Sequence, residues 1–212
     1  LSEEISGLLA KFSNDLYLNK NLFEKILHVD NNSSGNSKDE QRLIKVYLRK
    51  FIRNGADLKE EDKNTLRKID SDLSALSPKF SSNLRQAINN YELWIDKEGD
   101  LEGLPQMAID AAKEAAAAKK EKNKWLFTLQ SPSMIPVMRF LKNRALRQDI
   151  STAFSTKCLN GEFDNSDIIK KTVKLKHERA MLLGYKNYAE YVLEERMAGE
   201  VSGVYDLLDR LY

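Results

Sequence analysis

The chain is poor in the residue types that build most active sites. Its 212 residues include one cysteine, Cys158, and two histidines, His28 and His177. A single cysteine excludes an intrachain disulfide. Zinc needs three or four ligands at set spacing, and neither histidine has a partner at that spacing. His177-Glu178 begins like HExxH, but Ala180 and Met181 follow, and Met181 stands where the second histidine belongs. A surface helix histidine is the reading taken for His177. His28 lies near a helix end, where the helix C-terminus accounts for it. Catalytic residues: none; metal ligands: none; substrate-binding residues: unknown. No Gly-rich phosphate loop and no Ser–His–Asp set is present.

Charge of one sign is also lacking. Thirty-four Lys and Arg face 32 Asp and Glu, a net charge of +2, which gives no reason to expect nucleic acid or an anionic membrane. The basic run Lys119, Lys120, Lys122 and Lys124, followed by Arg139, Arg144 and Arg147, is interrupted by Glu114 and Glu121. It reads as a solvated face, with Trp125 a strand residue rather than a base-stacking platform. No apolar run approaches a membrane span, and the first residues lack the basic flank and apolar block of a signal peptide. Four prolines and nine glycines suit long helices, so the expected class is mainly α.

What is present is helical periodicity. Ile5, Leu8, Leu9, Phe12 and Leu16 lead into Leu22, Phe23 and Ile26, with an interruption at Asn19 and Asn21. A polar loop spans Asp30 to Ser37. The next helix runs from about Asp39 to Arg53 and stops at Asn54-Gly55. Asp57 and Glu60 resemble a capping box opening the longest stripe, Leu66, Ile69, Leu73, Leu76, Phe80, Leu84, Ile88 and Tyr91. Pro78 lies inside it and should bend the helix without ending it. The similarity of Ile5–Leu16 to Leu73–Leu84 is read as coincidence.

Tyr91–Ile95 and Trp125–Leu129 are alternating and aromatic, which predicts a small antiparallel ribbon. A helix entered at Pro105 and covering Met107 to Lys120 is inserted between its strands. Ser131 and Pro132 then open a helix to about Cys158, with Ile135, Met138, Leu141, Leu146, Ile150 and Phe154 inward. That pattern buries Cys158, which is read as a structural thiol rather than a reactive one. Asp164 or Asn165 caps a helix stopped at Gly184. Asn187 caps another to about Ala198, and Ser202 one carrying Val204, Leu207, Leu208 and Leu211. Tyr185, Tyr188 and Tyr191 could line a peptide channel; core packing with the hydroxyl at the surface is the commoner arrangement. Leu1 begins, and Tyr212 ends, inside a helical pattern, so a segment of a larger protein is expected.

Several phrases, taken together and in order, resemble one family. They are Asp15-Leu16-Tyr17-Leu18-Asn19 with Asn21-Leu22-Phe23, and Phe51-Ile52-Arg53-Asn54-Gly55-Ala56-Asp57-Leu58. Leu73-Ser74-Ala75-Leu76 before Phe80-Ser81-Ser82-Asn83-Leu84 and Leu101-Glu102-Gly103-Leu104-Pro105 follow. The last are Lys124-Trp125-Leu126-Phe127-Thr128-Leu129 and Leu182-Leu183-Gly184-Tyr185-Lys186-Asn187-Tyr188-Ala189. The chain thereby resembles the thimet-oligopeptidase-like zinc metallopeptidases, with the bacterial peptidyl-dipeptidases (dipeptidyl carboxypeptidases) the closer branch and oligopeptidase A the other.

The resemblance implies a multi-helical, non-catalytic N-terminal region of a gluzincin-type oligopeptidase. Such a region forms one wall of a channel for short peptides. Residues 1–90 would be N-terminal helices including the long Pro-bent one, 91–130 the ribbon with its helix, and 131–212 helices continuing into a missing catalytic half. That half would carry HExxH and the one zinc ion of the parent. The chain alone would bind no zinc and cut nothing. Expected partners are short peptides, in the intact enzyme, and the catalytic half, with no nucleic acid and no membrane. The cytoplasm is the expected compartment and the periplasm the alternative. A different class, a helical protein-interaction module with no enzymatic parent, is the competing reading.

Overall fold

The computed structural model describes residues 2–212, with side chains from residue 4 onward; Leu1, expected to begin inside a helical pattern, lies outside them. Ten α-helices and one two-stranded sheet are found among the described residues: α1 Ser2–Tyr17, α2 Lys20–Asn31, α3 Lys38–Arg53, α4 Glu60–Asn90, β1 Leu93–Ile95, α5 Gln106–Ala118, β2 Trp125–Phe127, α6 Ser131–Phe140, α7 Arg144–Thr156, α8 Ser166–Leu182, α9 Tyr188–Leu193 and α10 Val201–Leu211. The mainly α class is thus observed. The chain forms two compact units, one of residues up to Lys79 with Ile168–Tyr212, the other Phe80–Asp167.

In the first unit, Asn19 separates α1 from α2 by turning its side chain to the Leu22 N–H at 3.0 Å. This satisfies one of the donors that a helix start leaves free. Ser37 and Glu40 form a reciprocal capping box on α3, so the expected polar loop ends in a structured helix entry, while its first residues, Asp30 and Asn31, belong to α2. Phe23, Phe51 and Ala56 are the buried centre where α2 meets α3. Phe51 packs edge-on against Tyr17 at 5.2 Å. Gly55 ends α3 with φ +88°, and a Cβ there would lie 2.6 Å from Leu66 Cδ2. The backbone turn is therefore also a packing surface for α4.

The expected Asp57–Glu60 capping box is not formed. The turn after Gly55 carries the chain on to Lys59, and α4 begins only at Glu60, which pairs with the buried Lys63 at 3.1 Å. Pro78 sits within an unbroken α4. Leu66 and Ile69 on its stripe are buried, while Phe80 is exposed.

The second unit holds the sheet. Leu93 pairs with Phe127, Trp94 with Leu126 and Ile95 with Trp125, antiparallel. The ribbon is where it was expected but only three residues long on each side. Ile95, Leu101, Phe127, Val137, Leu141 and Ile150 form its core.

The expected single helix from Ser131 to Cys158 is two. Leu141 leaves helical geometry with ψ 127° yet stays buried. The Lys142 N–H donates to the Glu102 carbonyl at 2.8 Å, and Asn143 caps α7 through Ala145 and Leu146. Breaking the helix changes which side is inward: Val137 is fully buried, whereas Ile135 and Met138, expected inside, are exposed. Cys158 is not on a helix. It lies past α7 with φ +59° and is half-buried.

Two later boundaries also move. α9 stops at Leu193 rather than about Ala198, and α10 starts after Glu200, with Ser202 inside it rather than capping it. Val204, Leu207, Leu208 and Leu211 do share α10 as expected. Leu207, Leu208 and Leu211 are exposed, as are Leu8, Leu9 and Phe12 of α1.

Gly103 takes φ +96°, and a Cβ there would overlap the Phe140 carbonyl at the end of α6. Gly103→Ala is expected to lower stability by about 3 kcal/mol. Gly99→Ala, with open space around it, should change it by less than about 0.5 kcal/mol. Urea unfolding of the two variants against the parent chain checks the contrast.

Candidate functional site

The densest polar cluster in the first unit is built on the last helical residue of α3. Arg53 is only 7% exposed, so its five N–H donors must find acceptors within the protein. Nη1 donates to the Tyr185 hydroxyl at 3.1 Å and to the Glu194 carboxylate. Nη2 donates to the Tyr191 carbonyl at 2.7 Å, and Nε lies 3.5 Å from Glu195 Oε2. Its guanidinium also stands over the Tyr191 ring, 4.3 Å from the centroid.

A second arginine approaches the same ring. Arg179 of α8 is 5.3 Å from the Tyr191 centroid and donates to Asp70 at 2.8 Å and Asn54 at 3.4 Å. Tyr185 meets Tyr191 edge-on at 5.2 Å. Tyr188 lies 6.0 Å from Tyr191 and carries Lys176 over its face at 5.1 Å. The sequence positions these groups by ordinary local means. Gly184 stops α8, the Asn187 side chain caps α9 by accepting from Glu190, and the short α9 delivers Glu194 and Glu195 to Arg53.

The electrostatics follow from burial and pairing. Burial opposes the charge on Arg53 but is outweighed by Tyr185, Tyr191, Glu195 and Glu194, so its pKa is raised. Arg179 is raised in the same way, chiefly by Asp70. Burial first, then the hydrogen bond donated to Glu194, pushes the Tyr185 phenol up to about 12. A phenol held that firmly protonated is a donor that fixes Glu194, not a proton-transfer group at neutral pH. The cluster works as a clamp joining α3, α4, α8 and the chain after α9.

The residues singled out in the sequence are therefore sorted. Tyr185, Tyr188 and Tyr191 do come together, with the Tyr185 hydroxyl engaged within the protein. His28 is exposed in the last turn of α2, and His177 is exposed on α8. Among the described residues, no group of three or more His, Cys, Asp or Glu could hold a metal ion. Burial raises the Cys158 thiol, opposed by Lys157 and aided by Asp164, which is unfavourable for a nucleophile. Lys119 pairs with Glu92, and Lys124 approaches Asp96 at 3.8 Å and Glu121 at 3.5 Å, so the basic run is dispersed among carboxylates. Arg53, Arg179, Asp70 and Glu194 carried no motif. A basic residue ending a helix is too common to mark a site.

Comparison with known proteins supplies what geometry does not. Residues 137–212 match Peptidase family M3. The chain is 34% identical to the probable cytosolic oligopeptidase A of Arabidopsis thaliana over 99% of its own length and 31% of that protein. To oligopeptidase A of Haemophilus influenzae it is 34% identical over 96% of the chain and 31% of that protein. To dipeptidyl carboxypeptidase of Escherichia coli the identity is 31% over 93% of the chain and 30% of that protein. The chain spans just under a third of the length of these relatives. Their identities do not favour the peptidyl-dipeptidase branch over oligopeptidase A.

Two outcomes check the clamp. Arg53→Met leaves Glu194 and Glu195 without their cation and should lower stability by about 2 kcal/mol in urea unfolding, less than a fully buried pair because both carboxylates face water in part. Tyr185 holds its proton more tightly when folded than at its ordinary value of 10.0. Its contribution is therefore whole below pH 10 and is lost as pH rises toward 12. Stability should fall more steeply across that window in the parent chain than in Tyr185→Phe, and the 295 nm titration should lack one late phenol in the variant.

Proposed function

We propose, from the premise that this chain belongs to peptidase family M3, that it is a non-catalytic part of a zinc metallopeptidase acting on short peptides. One observation carries this reading: the similarity to peptidases runs over 99% of the chain, through helices, ribbon and connections alike. The helical interaction module without an enzymatic parent is not favoured, because the relatives are themselves peptidases.

In this reading the chain forms part of one wall of the peptide channel, and residues 131–212 continue into the half that does the chemistry. The zinc ion belongs to that half. The similarity to a dipeptidyl carboxypeptidase supports release of C-terminal dipeptides as the finer activity; the similarity to oligopeptidase A supports cleavage within short peptides. The clamp gives the wall its rigidity by tying α3 and α4 to α8 and the chain after α9. No helix among the described residues is long and apolar enough to cross a membrane. The cytoplasm is the proposed compartment, in keeping with the relative named as cytosolic.

The parent coding sequence beyond Tyr212 should encode HExxH. The intact product should cleave a quenched short peptide and stop doing so in the presence of a chelator. The 212-residue chain should contain far less than one zinc per molecule and leave the same peptide whole. One tightly held zinc with cleavage by this chain alone, or an unrelated domain downstream, overturns the assignment.

A further inference from the structure

Two Asn-Gly pairs occur in the chain, Asn54-Gly55 and Asn160-Gly161, and the fold treats them differently. An asparagine before glycine is open to attack by its own main chain, because glycine has no Cβ to keep its nitrogen away from the neighbouring side chain. The reaction needs the side-chain amide and that nitrogen to be free to meet.

At the end of α3 they are not free. Gly55 is buried and Asn54 half-buried. The Asn54 side chain donates to the Lys50 carbonyl at 2.8 Å and accepts from Arg179 at 3.4 Å. The Gly55 N–H donates to the Ile52 carbonyl at 2.8 Å. Both reacting groups are held by the fold, and releasing them requires the end of α3 to open.

The connection from α7 to α8 imposes no such hold. Asn160 and Gly161 are both exposed. Among the described residues, neither the Asn160 side chain nor the Gly161 N–H makes a hydrogen bond within the protein. Their backbones are left-handed, with φ +63° and +89°, and a Cβ on Gly161 would meet nothing within 4 Å. The pair has room to rotate into line for attack, and surface loops move far faster than amide bonds break.

We propose that Asn160 is a site of spontaneous deamidation and isoaspartate formation, and that Asn54 is protected from it. The Gly161 main-chain nitrogen bonds to Asn160 Cγ and gives up its proton. The Cγ–Nδ2 bond breaks, and ammonia leaves with that proton. Water then opens the five-membered succinimide at one carbonyl or the other, which yields aspartate or isoaspartate. Either product places a new carboxylate two residues from Glu162. The isoaspartyl form also lengthens the main chain by a methylene, inside the turn that the Asn165 N–H closes on the Cys158 carbonyl at 3.0 Å. The proposal does not depend on the peptidase reading, and its test uses no peptide cleavage.

The full chain is incubated at physiological temperature and pH and sampled by peptide mass mapping, with isoaspartate scored by enzymatic carboxyl methylation. In the native chain Asn160 should deamidate about tenfold or more faster than Asn54, with isoaspartate among its products. In urea, where no fold protects either site, the two rates should come close together. Asn160→Gln, whose longer side chain must close a six-membered ring, should remove the fast product and leave the slow one. Equal rates in the native chain, a faster Asn54, or no isoaspartate at position 160 would overturn the inference. So would a native rate ratio that persists unchanged in urea, since neighbouring residues rather than the fold would then set it.

Discussion

A buried guanidinium is the constraint on which the first unit depends. Arg53 ends α3 almost out of contact with water, and an unpaired charge there would be far more costly than the helix it terminates could offset. The chain resolves this from a distance. Tyr185, the Tyr191 carbonyl, Glu194 and Glu195, more than 130 residues downstream, converge on one side chain. For them to arrive, α8 must stop at Gly184, α9 must be short, and the chain after Leu193 must turn back. The unit is discontinuous in sequence because the acceptors for one helix end are supplied by the other end of the chain.

The same logic governs the second unit on a smaller scale. The break between α6 and α7 is fastened to residues 98–103: Lys142 donates its backbone N–H to the Glu102 carbonyl, and Asn143 donates its side-chain amide to Asp100. Gly103 lets the Phe140 carbonyl come close enough to allow it. In the same unit, Asn165 is 1% exposed; its side-chain oxygen accepts from Asn83 and its side-chain N–H donates to the Phe80 carbonyl. In both units the fold is registered by polar groups that reach across sequence, while the apolar stripes supply the bulk of the burial.

This division explains what could be read in advance. Signals that act within four residues were legible: Asn19 as an interruption, Asn187 as a cap, Gly55 and Gly184 as stops, the alternating stretches around Leu93 and Trp125 as strands. The helix through Pro78 was legible because its stripe continues past the proline. Signals whose partner lies tens of residues away were not. Nothing around Leu141 announces that its helix yields to a carbonyl 40 residues earlier, so Ile135 and Met138 were placed inside. Asp57 and Glu60 have the spacing of a capping box, but the turn set by Gly55 and its packing on Leu66 decides where α4 starts. The tyrosines were noticed as a group, yet the two arginines that organise them were ordinary helix residues until the chain was folded.

The direction of the pKa changes bears on what kind of surface this is. Sites that move protons bring pKa values toward the working pH. Here the shifts go the other way. Ser37 lowers Glu40 through backbone and side-chain hydrogen bonds. Burial raises Tyr91 and Cys158, and burial with the Glu194 bond raises Tyr185. Arg53 and Arg179 are raised against their own burial by their partners. Each of these six groups is driven away from neutrality, so each keeps one charge state across the physiological range. Fixed charge states make fixed hydrogen bonds, and fixed hydrogen bonds hold helices in register. Groups arranged this way serve a scaffold: they hold their helices in register and move no proton near neutral pH.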